Sequence, residues 1–392
     1  MKTTPKNLPN HSDRNTDGRF DAPRITRRSF LGRSLGAGAA LGLASARGGS
    51  PSAEAGWLNT ALSPEEGFTI VGIPDVHVDF MCTGERLATV SEWIVARAQH
   101  LNIRYVAQLG DAGDRRGSGS HGEMLATSRR GFEPIVRAGI PLSVCIGNHD
   151  YDRASNARIN NEWNREEAFG MSLYQNAPGF GGTFESESDD PGPDPGGTVN
   201  HYFTFEAAGV KMLMLCLELG PREKVMKWAD HLVRNRFPDH SVMAFTHSYL
   251  DTDSLLVDES KRGNPKRYAH FSTEEGPEYT HDGKDMWERY LRHWPNLRMV
   301  HSGHSISGPR QAWLDQSGEN GNKVAGLYYN WQEWGYDAEK KEMIHGLSVE
   351  HGASMIRLFQ IRPAAKSVHI ANFLPSAGVE ADPSFPESLP WA

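Results

Sequence analysis

Cysteine is scarce in this chain. The three residues of this type among 392, Cys82, Cys145 and Cys216, lie far apart and form no C-x-x-C pair. An odd, scattered set argues against a disulfide framework and against a cysteine-built zinc ribbon. Positive charge is not in excess either: 41 Lys and Arg against 49 Asp and Glu give a formal net charge of -8. No global basic field draws the chain to nucleic acid or anionic lipid, and no nucleic-acid partner is expected. A long apolar run is also missing. The Ala/Gly/Leu stretch from Gly36 to Ala46 is too short and too rich in glycine for a bilayer crossing, so no stable membrane span is expected in the mature protein. What remains has a globular makeup, 38% hydrophobic and 23% charged, with length for one large domain or two modest ones.

The first residues do not read as part of the fold. Thr26-Arg27-Arg28-Ser29-Phe30-Leu31 follows a polar lead containing Lys2, Lys6, Arg14, Arg19 and Arg24, and precedes the mildly apolar stretch. That order resembles a bacterial twin-arginine export signal. It implies a signal and linker over residues 1–55, the twin-arginine export machinery as a partner, and a periplasmic or secreted protein. Ala44-Ser45-Ala46 and Ala53-Glu54-Ala55 are the small-x-small candidates for processing. Gly32-Arg33-Ser34-Leu35-Gly36 spells a nucleophile elbow but lies inside this segment, without the strand-turn-helix setting such a serine needs.

The folded domain is expected over residues 66–375, with 376–392 as a C-terminal tail. Its organisation is set by short apolar runs that end in polar, ligand-competent residues. Phe68 to Ile73 leads into Pro74-Asp75-Val76-His77, and residues two apart in an extended segment share a face, so Asp75 and His77 can converge on one ion. Leu87, Val90, Ile94, Ala98 and Leu101 recur at helical spacing. Ile103 to Leu109 then closes with Gly110-Asp111-Ala112-Gly113-Asp114. A second helix, His121 to Gly139, leads to Pro141–Ile146 and Gly147-Asn148-His149-Asp150. Strand and helix in alternation predict parallel crossover units with one shared C-terminal edge.

Further on, a helix is expected around Asn161 to Phe169. A mobile acidic loop should follow from Asn176 to Asn200, where Gly, Pro, Ser and acids crowd together. His201 to Glu206 and Val210 to Leu217, separated by Ala208-Gly209, predict a hairpin, and Arg222 to Arg236 a helix. Ser241 to Thr246 ends at His247. Asp285 to Trp294 reads as a core helix, and Leu297 to Ser302 ends at Gly303-His304. Val324 to Tyr329, Met355 to Ile361 and Val368 to Phe373 are expected to complete a second sheet.

Asp75-x-His77, Gly110-Asp111-x-x-Asp114, Gly147-Asn148-His149-Asp150, His247 and Gly303-His304, in this order and each after a strand, resemble the calcineurin-like metallophosphoesterase superfamily over roughly Phe68 to Phe373. The resemblance implies an α/β fold, a two-layer mixed β-sandwich flanked by helices, with two divalent metal ions at the strand ends. It implies Asp75 and His77 on one ion, Asp111 bridging both, and Asn148, His247 and His304 on the other. His149 would be the general acid for the leaving oxygen, Asp150 would orient His149, and Asp114 would stand behind the ligands.

Carboxylate, imidazole and amide donors suit Mn, Fe, Zn or Ni. Two such ions polarise a phosphoryl group and lower the pKa of a water between them, which gives a bridging hydroxide nucleophile at neutral pH. The reading is a metal-dependent hydrolase of phosphomonoesters or phosphodiesters, acting on a phosphorylated small molecule or an envelope substrate.

One position departs from the family's Gly-His-x-His ending. Gly303-His304-Ser305-Ile306 carries isoleucine where a histidine would complete the first ion's shell. Water or substrate fills the place, a polar group of Asn330-Trp331-Gln332-Glu333 reaches in, or the site holds one ion or works weakly. The alternative function is a degenerate metal-binding protein that binds a phosphorylated ligand without turnover. Arg115 and Arg116 are candidate phosphate clamps, and Lys261, Arg262, Lys266 and Arg267 form a basic cluster that reads as a solvated loop.

Overall fold

The computed structural model describes residues 57–78, 80–114, 119–152, 160–190, 197–260, 274–306, 310–337, 339–340, 342–345, 354–381 and 388–391. All fall in one compact unit, Pro51–Ala392. The twin-arginine segment, Arg115, Arg116 and the basic cluster at 261–267 lie outside the described residues. No helix among the described residues is long and apolar enough to cross a membrane.

Three parallel strands open the fold: β1 (Phe68–Ile73), β2 (Ile103–Gln108) and β3 (Leu142–Val144). Between the first two runs α1 (Gly84–Arg97). The Thr83 side chain caps it by accepting from the Arg86 N–H, and Leu87, Val90 and Ile94 turn to the core. Between the next two run α2 (His121–Gly131) and α3 (Glu133–Arg137). The single helix expected from His121 to Gly139 is therefore broken. Pro134 has no N–H to extend the ladder and its ring crowds the preceding turn, so the chain restarts with the proline in the first turn of α3. The helix expected around Asn161 to Phe169 is absent; that segment folds as turns. The Asp152 carboxylate accepts from Asn161 N and Glu162 N, and Asn164 Oδ1 accepts from Thr198 N. Such side-chain bonds offer the backbone an alternative to a helical ladder.

The stretch expected as an acidic loop contains β4 (Phe180–Thr183) and α4 (Phe184–Glu187), with Phe184 and Glu185 buried. Then come β5 (His201–Ala207), β6 (Val210–Cys216), α5 (Glu223–His231), β7 (Ser241–Phe245), α6 (Gly283–Arg289), β8 (Leu297–Ser302), β9 (Gln311–Ser317) and β10 (Lys323–Tyr329). Their sheet runs β4-β5-β6-β7-β8-β10-β9, parallel from β6 to β10 and antiparallel at its ends. A small hairpin follows, β11 (Trp334–Asp337) with β12 (Glu342–His345).

The last strands return to the first sheet. β13 (Ile356–Arg362) pairs antiparallel with β1, and β14 (Ser367–Leu374) pairs with β13. Of the three late runs expected in the second sheet, only β10 is there. β1 had one edge unpaired by the β1-β2-β3 progression, and β13 fills it. Residues counted in the C-terminal tail also pair: β15 (Val379–Ala381) and β16 (Ser388–Pro390) both bond to β14.

The architecture is thus two mixed sheets flanked by helices. Strand periodicity explains the layering. Along β6, Met212, Met214 and Cys216 enter the core shared with the first sheet, while Leu213 and Leu215 pack with α5 and α6 residues on the other face. Met243 and Phe245 of β7 divide from Val242 and Ala244 in the same way. Cys145 and Cys216 are both buried in that shared core as free thiols, with the Cys216 thiol donating to Cys145 Sγ at 3.4 Å. Because β1, β2, β3, β7, β8 and β10 all sit in parallel pairs, their C-terminal tips gather candidate ligands from both layers.

Candidate metal centre

Three of the tips are turned by unusual backbone. His77, Asp111 and His304 all hold left-handed conformations, with φ of 44°, 53° and 75°. For a non-glycine residue this costs on the order of 1–3 kcal/mol and persists only where the surroundings over-determine it. Here the surroundings are the neighbouring tips. His77 N donates to Asp111 O at 2.9 Å, and His304 N donates to both Asp75 oxygens at 3.3 and 3.1 Å.

Two of the glycines that precede a ligand have a steric reason. A Cβ on Gly147 would lie 2.1 Å from Asp111 Oδ1, and one on Gly303 would lie 2.2 Å from Asp75 Oδ1. Each glycine is the seat of a carboxylate from another strand, so the Gly-ligand pattern is a packing requirement as well as a turn.

Three overlapping clusters result among the described residues. Asp75, His77 and Asp111, all buried, form the first; Asp111, His247 and His304 form the second; His77, Asp114 and His149 form a third beside the first. In the second, the Leu109 carbonyl can only accept, which places a His247 proton on Nδ1 (2.8 Å) and turns Nε2 inward. Around that nitrogen stand His304 Nδ1 at 3.0 Å, Asn148 Oδ1 at 3.2 Å and Asp111 Oδ2 at 3.3 Å. In the first, His77 Nε2 is buried with no hydrogen-bond partner and lies 3.4 Å from Asp111 Oδ2. Converging acceptors and an orphaned imidazole nitrogen are a donor set fitted to cations.

Electrostatics point the same way. Burial pushes the Asp75 carboxyl up to about 8, with Asp111 adding to the shift. Burial works against a charged His247 ring, but Asp111 and Asp75 outweigh it and bring it up to about 10. Burial also opposes a charged Asp111, yet His247, His149 and His77 hold it well below the usual carboxylate range. A nest that retains a proton this strongly is one that favours positive charge.

All six expected ligands, Asp75, His77, Asp111, Asn148, His247 and His304, are therefore at one place. His149 is beside them, its ring 4.9 Å from that of His77 and its side chain 24% exposed. The orienting role expected of Asp150 is not what its contacts show. Its carboxylate accepts from the backbone N–H groups of Ala112, Gly113 and Gly147, at 3.2, 2.9 and 2.8 Å, and so ties the β2 and β3 tips together. The carboxylate on the histidine is Asp114: Oδ1 meets His149 Nδ1 at 3.2 Å and Oδ2 meets His77 Nδ1 at 2.8 Å. One buried acid thus orients two rings and leaves both Nε2 atoms free of it. Ile306 is 48% exposed. Asn330 does reach the cluster, donating from Nδ2 to Asp75 Oδ2 at 2.8 Å.

No protein-family model matches this chain. Among curated proteins it is similar to the Bacillus subtilis (strain 168) "Uncharacterized protein YvnB", 22% identical over 292 residues. That match takes in 73% of this chain but 18% of the relative, so the chain spans under a fifth of its length. Among solved structures it is similar to purple acid phosphatase PPD1 from yellow lupin, Lupinus luteus. Identity there is 12% and the TM-score 0.44, over 82% of this chain and 54% of that one. A 5'-nucleotidase precursor from Thermus thermophilus matches at 11% identity and a TM-score of 0.35, over 75% and 51%. GAP50, titled the anchor in the inner membrane complex of Plasmodium, matches at 8% and 0.38, over 82% and 88%.

Proposed function

We propose that the strand-tip cluster is a dinuclear metal centre and that the protein hydrolyses phosphoesters. The observation that carries this reading is the meeting of His247 Nε2, His304 Nδ1, Asn148 Oδ1 and Asp111 Oδ2 beside the unpartnered His77 Nε2. Asp75, His77 and Asp111 would hold one ion; Asp111, Asn148, His247 and His304 would hold the other. When bound, such ions polarise a phosphoryl group and activate water.

This chain's own residues supply the rest. The His149 N–H donates to Asp111 Oδ1 at 2.9 Å and fixes the carboxylate plane, in which Asp111 would serve both ions. Asp114 holds the Nδ1 proton of His149, which leaves Nε2 to give a proton to the departing oxygen. The partial exposure of that ring sets it at the edge of the cluster, next to solvent. Asp150 keeps the β2 and β3 tips in register, so Asp111 and Asn148 stay aimed at one point.

The N-terminal order of basic lead, Arg27-Arg28 and apolar stretch supports export by the twin-arginine route, and so a phosphoester met outside the cytoplasm. Isoleucine at position 306 favours a second reading, a metal-binding protein that holds a phosphorylated ligand without turnover. One experiment separates the two. Release of p-nitrophenol from its mono- and bis-phosphate esters is measured with Mn, Fe, Zn or Ni, with and without chelator. Metal-dependent turnover is expected, with His149→Ala lowering kcat ~100- to 10,000-fold while both ions stay bound. Two bound ions and no turnover with any of the four metals leave the binding protein as the reading.

A further inference from the structure

Asn330 follows the end of β10, which runs parallel to β8 with Tyr328 opposite Ser302. Two residues further along, the Asn330 side chain and the His304 N–H meet on the same Asp75 oxygen. A strand with no ligand motif in its sequence thus presents a polar side chain at the same tip as the Gly303-His304 turn. That side chain is buried and fully placed. Its backbone N–H donates to Arg310 O at 2.9 Å, its Oδ1 accepts from Gln332 N at 3.0 Å, and its Nδ2 donates to Asp75 Oδ2 at 2.8 Å.

The amide has one workable orientation. A backbone N–H can only donate, so the Asn330 atom facing Gln332 is the carbonyl oxygen, and the NH2 must face Asp75. Turning the oxygen toward the ion would set two donors against each other at Gln332. The following residues keep the segment still: Trp331 is buried, and the Arg310 guanidinium lies over the Trp331 and Trp334 rings at 4.6 and 4.0 Å.

Building on the dinuclear reading above, we propose that Asn330 is a positioning residue for the ion at Asp75 and His77. It grips Asp75 through Oδ2 so that the carboxylate stays directed at an ion whose protein shell lacks an imidazole, the place of which is held by Ile306. Three protein ligands remain there, Asp75, His77 and the shared Asp111. A shell that thin depends on each ligand being held in advance, and outer partners of this kind are worth ~10- to 100-fold in metal affinity. The carboxylate on the same oxygen also accepts the His304 N–H, so Asn330 and the β8 tip clamp it from two strands.

Binding of Mn2+ alone tests this, by calorimetric titration and by the spin-coupled signal that a filled two-ion site gives. Wild-type protein is expected to bind two equivalents. Asn330→Ala should weaken one equivalent ~10- to 100-fold, leave the other within threefold, and replace the coupled signal by that of an isolated ion. Ile306→His in the Asn330→Ala background should restore the lost equivalent, because a direct ligand makes the clamp dispensable. If the alanine variant does not fold, Asn330→Ser, which keeps a polar but shorter group, carries the same expectations.

Two equivalents of unchanged affinity in the variant overturn the inference and leave the dinuclear reading standing. So does equal loss of both equivalents in a variant that melts like wild type in chelator. One ion or none in the wild-type protein overturns the dinuclear reading and the inference with it.

Discussion

His247 and His201 are both wholly buried, yet they occupy opposite electrostatic worlds. His247 lies at the strand tips, with Asp111 and Asp75 against it, and is brought up to about 10 although burial opposes the charge. His201 lies at the start of β5 in the core between the sheets. It meets Thr198 O and Ser143 Oγ, both at 2.8 Å, and burial takes it down to about 4. The same side chain at the same depth keeps a positive charge in one region and is a neutral packing group in the other. What separates them is carboxylate content, not burial. His301, also buried and taken well down by burial with Arg357 nearby, sides with His201.

The largest change expected is one that pushes the first region toward the second. Asp111→Asn removes the acid shared by both clusters, and with it most of what distinguishes His247 from His201. Bound metal should fall from two equivalents to below one by elemental analysis, with no measurable turnover. Retention of two ions would show that the carboxylate is not the shared ligand.

Acid should act on the second region. His201 has a folded value near 4, below the ordinary 6.5, so the unfolded chain takes up the proton first. The stability this contributes is complete above pH 6.5 and is lost as pH falls from 6.5 toward 4. The gap corresponds to about 3 kcal/mol. Urea unfolding at pH 7 and pH 4 should show that much less acid loss in His201→Gln than in the wild-type protein, and equal losses would remove His201 from the account.

A subtler test concerns Asp114, which meets His77 and His149 at once. Asp114→Asn replaces a charged acceptor by a neutral amide and should loosen metal binding ~10- to 100-fold without changing the stoichiometry at saturation. If ion affinity is unchanged and only turnover falls, Asp114 serves His149 alone.

The strand tips were legible in the sequence because two independent patterns agree there. Apolar runs alternate with helical spacing, and these runs end in residues of the types that can bind cations. What was hidden is mostly a matter of direction. Asp150 follows His149 in sequence, but the turn sends its carboxylate back to the Gly147 N–H, so sequence adjacency pointed to the wrong partner. Asp114, three residues beyond Asp111, reaches the rings instead. The β4 strand was hidden by its glycines: a Cβ on Gly181 would strike the Tyr202 ring at 1.9 Å, so the position that packs carries no side chain to signal it. Asn330 was visible only as one of several polar residues after β10, because its place beside the β8 tip depends on which strand β10 pairs with.

Seating Asp75 on Gly303 also says something about the order in which the molecule is made. Asp75 and His304 are 229 residues apart, in different sheets, and contacts of that separation are costly to close early. The cluster is complete only once the two sheets have docked, so a fragment carrying β1 to β3 alone holds an incomplete set of donors. On the dinuclear proposal, uptake of the second ion would gauge sheet-on-sheet docking, and a refolding experiment followed by metal uptake would time the last long-range step of folding.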